Sequence, residues 1–190
     1  MEKELLINSN TKENYLVYWL KKLLPIFSLI ILLFYFILAH LKMNIEFGDF
    51  AYFYEQAKIQ NIFQFLLKRY NEWSSRVFIE LVMICVLRCP LIIFHILDII
   101  VWISLFICLV YLVFPKEKYY LSIFVALLII IYPLYDMETA GFFATLTNYI
   151  WPLSSLLISF IPVKKSLNGG GERVGLFENI ISIIFFNLCL

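Results

Sequence analysis

Three clusters hold the side chains of this 190-residue chain whose types and spacing could do chemistry. The first is Glu46-Phe47-Gly48-Asp49. The second is Asn71-Glu72-Trp73-Ser74-Ser75-Arg76. The third runs from Thr139 to Pro152 and reads TAGFFATLTNYIWP. Carboxylates, a guanidinium, an amide and indoles are the groups that proton transfer, anion binding and sugar recognition draw on. Each also has a plain structural reading. Asp49, after Gly48, suits the cap of a helix that starts near Phe50. Arg76 can pair with Glu72 or Glu80, each four residues away on a helix face. Trp151-Pro152 fits an interfacial anchor followed by a proline in a first helical turn. Asp136 and Glu138 fit solvated loop carboxylates. His95 and Asp98 fall near one end of an apolar run and are expected to satisfy one another or neighbouring helices. Ionisable groups inside a membrane are nevertheless functional candidates by default.

The elements that must position these residues are apolar. Leu23–Leu41, LLPIFSLIILLFYFILAHL, has no Asp, Glu, Lys or Arg, has only Ser28 and His40 as clear polar interruptions, and is flanked by Lys21-Lys22 and Lys42. At ~1.5 Å rise per residue it about matches the ~30 Å hydrocarbon core of a bilayer. The chain is 63% apolar and 15% charged, with a mean hydropathy of +0.88. A soluble domain carries about 25% charged residues, so this composition could not cover a globule with polar surface. A net charge of +1 without a basic stripe argues against a nucleic-acid partner. Cys85, Cys89, Cys108 and Cys189 lie in apolar sequence, with no Cys-x-x-Cys pair and no zinc-type His spacing. No metal ligand is assigned.

The expected fold class is all-α, a polytopic helical membrane protein forming one membrane domain over 1–190. Residues 1–22 form a cytoplasmic lead before a first span at 23–41, read as a retained signal anchor. An outer loop over 42–91 carries interfacial helices, one of them over 77–90, because Glu80 and Arg88 are costly at membrane depth. Spans follow at 92–114 and 119–135, then an outer loop at 136–149 and a fourth span at 150–163. An inner linker fills 164–179, and 180–190 is an incomplete span. This arrangement puts nine of the 15 Lys and Arg residues inside, so the positive-inside rule gives a cell-membrane protein with a cytoplasmic N-terminus.

Gly-Asp after the first span, Trp-x-x-Arg before an interfacial helix and Thr-Ala-Gly…Asn-Tyr-x-Trp-Pro in a later outer loop form a pattern. Over roughly residues 20–165 it resembles an uncharacterised bacterial family of multi-pass membrane proteins. That family is similar to the GT-C-type glycosyltransferases, which take sugars from polyprenyl-phosphate donors. The most specific part is Thr139-Ala140-Gly141 with Asn148-Tyr149-Ile150-Trp151-Pro152. Members often carry a small residue and Gly before the Arg, where this chain has Ser74-Ser75-Arg76.

The resemblance implies a GT-C-like N-terminal half with its site at the outer membrane face. Asp49 is then the catalytic base, and Arg76 the binder of the leaving phosphate. Trp73, Asn148, Trp151, Asp136 and Glu138 are further substrate-binding candidates. It implies membrane lipid, a polyprenyl-phosphate sugar and a glycan acceptor as partners. No organic cofactor is expected, and a divalent-cation requirement stays open. GT-C enzymes usually have about eight or more spans, so the chain is expected to be an N-terminal portion, with a separately encoded C-terminal half as a further partner. The alternative from another class is a non-enzymatic scaffold or subunit of a surface-polysaccharide assembly or export system.

Overall fold

The computed structural model describes residues 2–43, 48–72, 76–132, 134, 142–167 and 175–187. Among these residues the secondary structure is helical, with no strand. The order is α1 (Glu2–Leu41), α2 (Gly48–Ile59), α3 (Ile62–Glu72), α4 (Val77–Leu87) and α5 (Leu91–Val113). A 3-10 segment (Lys116–Leu121) leads into α6 (Ser122–Ile130), and α7 (Phe142–Thr145) leads through a π-helical turn (Leu146–Ile150) into α8 (Trp151–Ser159). Then come α9 (Ile161–Leu167) and α10 (Leu176–Asn187).

Three helical stretches are long and apolar enough to cross a membrane: Val17–Leu41, Leu91–Val113 and Phe143–Leu167. They differ from the expected spans in instructive ways. The expected lead over 1–22 is helical from Glu2 and continuous with the first span. The expected third span, 119–135, is not a helix of spanning length: the 3-10 segment and α6 together end at Ile130. With rises of about 2.0 and 1.5 Å per residue, the pair reaches only about 25 Å. Pro133 explains the stop, because a proline disfavours helical backbone in the residue before it, here Tyr132.

The expected fourth span, 150–163, is longer than its sequence pattern implied. Pro152 has no N–H to give to the carbonyl four residues back, and the wider π turn immediately before it absorbs that mismatch. The helical path therefore continues back to Phe143, and forward through α9 into what was expected to be linker. The expected incomplete span at 180–190 begins earlier, as α10, and packs against α8.

The helices are polar at selected inward positions and apolar outward. Ser28, Asp98, Ser122 and Ser154 are buried, whereas Ile30, Phe34, Ile96, Ile100 and Leu128 are exposed. Broad exposed apolar surface around buried polar groups is what a lipid-facing bundle requires. Small hydroxyl residues meet between helices. Ser28 meets Ser122 at 3.4 Å between α1 and α6, and Ser104 meets Ser154 at 2.8 Å between α5 and α8. Aromatic packing fills the centre: Phe36 stacks on Trp102 at 4.8 Å, and Phe94 meets Phe143 at 4.4 Å.

The two ends of the bundle differ in chemistry. Lys21 lies over Tyr120, and Lys164 Nζ donates to the carbonyls of Tyr111 and Phe114, so these lysines gather at one end. At the opposite end α2 and α3 both pack on α4, and α4 packs on α5. Asn61 caps α3, its side-chain oxygen accepting from the Phe63 amide at 2.9 Å. On α4, Glu80 and Arg88 both find protein partners, as residues that are costly against lipid must. Arg88 donates to the Ala57 and Gln60 carbonyls, which holds the end of α2 against the α4–α5 corner.

Candidate functional site

At this second end, α2, the residue before α4 and the π turn meet around an open cavity of about 500 Å³. Asp49, Arg76 and Asn148 line it together with Tyr52, Arg69, Glu80 and Tyr149. The three residues were singled out from segments far apart in the chain, and the fold brings them to one cavity.

Local structure explains each placement. Gly48 has φ of 70°, a left-handed conformation that only glycine adopts without strain, and it turns the chain directly into α2. The helix therefore starts at Gly48 rather than near Phe50, and Asp49 lies in its first turn rather than at its cap. A carboxylate there complements the helix dipole. Asp49 and Tyr52 are three residues apart, so both face the cavity. Among the described residues, no group donates a hydrogen bond to the Asp49 carboxylate.

The expected pairing of Arg76 with Glu72 or Glu80 is not the arrangement observed. Glu80 is 2% exposed and is held by Arg69, whose Nε lies 2.9 and 3.0 Å from the two carboxylate oxygens and whose Nη2 lies 2.8 Å from one. Glu72 lies 4.0 Å from Lys68. Arg76 instead places its guanidinium over the Tyr149 ring, 5.4 Å from the centroid. Asn148 gives its amide N–H to the Ala144 carbonyl at 2.7 Å, which fixes the side chain and leaves its oxygen as an acceptor.

The Arg69–Glu80 pair forms a rigid wall of this cavity. Arg69→Met, which leaves the buried carboxylate unmatched, is expected to lower stability by roughly 1.5–3 kcal/mol. Replacing both partners by Met should restore much of that loss. Unfolding of the purified variants in detergent micelles measures both, and a harmless Arg69→Met would remove the pair as a stabilising element.

Trp151 is not part of the cavity wall. Its indole N–H donates to Asp98 Oδ1 at 2.7 Å, and its ring stacks on Phe94 with centroids 6.4 Å apart. Its other surroundings form a small apolar pocket with Phe78, Ile79, Val82 and Thr147. Trp73, Asp136 and Glu138, with Thr139-Ala140-Gly141, lie outside the described residues. Among the described residues, no group of three or more His, Cys, Asp or Glu is arranged to hold a metal ion.

Sequence reasoning did not anticipate how the buried polar groups of α1, α5 and α8 connect. Asp98 is fully buried on α5. Besides the Trp151 bond, its Oδ2 faces His40 Nε2 on α1 at 3.1 Å, an ion-pair distance off the angle of a good hydrogen bond. His40 Nδ1 meets His95 Nδ1 at 3.1 Å. The expectation that Asp98 satisfies neighbouring helices holds, but His40, and not His95, is its histidine partner. The available signal was His40 itself, a lone ionisable group in the first apolar run.

The fold and site thus define a helical protein with three stretches able to cross a membrane and a polar cavity at the end away from the lysine-rich turn. Comparison with family models, with curated proteins and with solved structures gave no match.

Proposed function

We propose that this chain is a GT-C-like glycosyltransferase unit that handles a polyprenyl-phosphate sugar in the Asp49 cavity at the outer membrane face. The observation that carries this reading is the convergence of Asp49, Arg76 and Asn148 on one cavity of about 500 Å³. In the proposed reaction, the acceptor hydroxyl oxygen attacks the anomeric carbon from the face opposite the phosphate. The bond between that carbon and the phosphate oxygen breaks, and its electron pair leaves with the polyprenyl phosphate. Asp49 takes the proton of the attacking hydroxyl.

Negative charge grows on the leaving phosphate. The planar guanidinium of Arg76, which lies over Tyr149 in the cavity wall, matches a phosphate in charge and shape. The Asn148 oxygen accepts from a sugar hydroxyl. In this reading Trp151 braces the bundle through Asp98 rather than stacking the sugar, because its ring faces Phe94 and lies outside the cavity lining. The test is transfer of labelled sugar from a lipid donor in membranes holding this chain, alone and with any segment encoded downstream. Donor binding without transfer under both conditions would favour the scaffold or export-subunit alternative.

The proposed orientation puts the lysine-rich turn in the cytoplasm and the Asp49 cavity outside. Single cysteines at Glu117 and Asn61 in a cysteine-free background test it in whole cells. Position 61 is expected to react with an impermeant maleimide and position 117 only after permeabilisation. Reaction of 117 from outside would reverse the orientation.

A further inference from the structure

A second polar cavity, of about 550 Å³, opens on a different face of α2 and is lined by Tyr54, Lys58, Arg88, Cys89 and Pro90. We propose that this cleft binds a phosphate group, and that the headgroups of net-anionic phospholipids at the bilayer surface are its source. Three independent features meet there. Lys58 lies over the Tyr54 ring at 4.0 Å, and among the described residues no carboxylate lines the cleft. Arg88 uses Nε and Nη2 on the carbonyls that end α2, which fixes its plane and leaves Nη1 for another acceptor. The long helix α5 starts at Leu91 with no side-chain cap after Pro90, so its first amides and its dipole add positive potential at the same place.

Arg69 and Lys68 at this end face carboxylates, Glu80 and Glu72. Lys58 and Arg88 instead meet a ring and backbone carbonyls, and they border a space large enough for a headgroup. Its height fixes the source. α5 is long and apolar enough to span from Leu91, which puts Cys89 and Pro90 where a span leaves the hydrocarbon and meets headgroup phosphates. This site is separate from the Asp49 cavity, and its test does not depend on sugar transfer.

Cys89 is exposed and lines the cleft, so its thiol reports occupancy. The full chain carrying Cys85→Ala and Cys189→Ala keeps Cys89 as the accessible thiol, because Cys108 is buried. Its reaction rate with a neutral maleimide is measured in nanodiscs of phosphatidylcholine with and without phosphatidylglycerol, and in detergent with inorganic phosphate against chloride of equal ionic strength. Phosphatidylglycerol is expected to slow labelling several-fold, and Lys58→Gln to weaken that protection about fivefold. Arg88→Gln should abolish it. Lys58→Gln keeps the test sound if Arg88→Gln unravels the end of α2, since Lys58 is exposed and lies over a ring of its own helix. Protection by inorganic phosphate alone would keep the phosphate site but overturn the lipid source. Equal rates under all conditions, or protection unchanged in Lys58→Gln, would overturn the site.

Discussion

Asp49→Asn is expected to lower sugar transfer by ~10²-fold or more while lipid-donor binding survives. The substitution keeps the shape of the side chain and removes its capacity to take a proton. Asp49 is exposed in the first turn of α2, so loss of fold is a poor explanation for lost transfer. Arg76→Lys keeps one positive charge but loses the planar fork and its stacking on Tyr149, so it should weaken donor use chiefly. The two variants therefore separate proton removal from phosphate binding. Donor and acceptor must be held at about 3–3.5 Å for reaction, and one shared cavity is the arrangement that permits it. The measurement is transfer of labelled sugar from lipid donor, with donor binding followed in parallel. Full transfer by Asp49→Asn would remove that residue as the base. Loss of donor binding in the same variant would make it a binding residue instead.

What the sequence made legible follows from which forces act locally. The spans were readable because a bilayer demands long apolar runs, and α1 and α5 lie close to where hydropathy put them. Composition could not locate the break after α6, although Pro133 marked it. Nor could it show that a π turn would let the helix run through Trp151-Pro152 back to Phe143. The cavity was partly legible: Asp49, Arg76 and Asn148 stood out by type, and all three line it. The pairings were not. Local spacing favoured Arg76 with Glu80, but the packing of α3 against α4 puts Arg69 on that carboxylate. An i,i+4 preference worth a few tenths of a kcal/mol loses to a contact that satisfies a buried charge. Likewise, His95 and Asp98 were visible on one helix face, but their link through His40 depends on how α1 packs against α5.

That link carries the largest expected effect on stability. Asp98→Leu should cost roughly 3–5 kcal/mol, because it removes the acceptor of the Trp151 N–H and the charge facing His40. Asp98→Asn preserves an acceptor oxygen for Trp151 and loses only the charge, so its cost should be smaller, about 1.5–3 kcal/mol. Unfolding in detergent micelles ranks the two. A double-mutant cycle with His40→Leu then separates the pair from its surroundings: with both partners apolar, the combined loss should fall below the sum of the single losses by about 0.5–3 kcal/mol. The reason is that a lone carboxylate or imidazole left at this depth has neither water nor a counter-charge, whereas two apolar side chains need neither. Strict additivity would mean that His40 and Asp98 do not interact energetically despite their 3.1 Å approach. An unchanged midpoint for Asp98→Leu would mean that the buried carboxylate does not hold α1, α5 and α8 together.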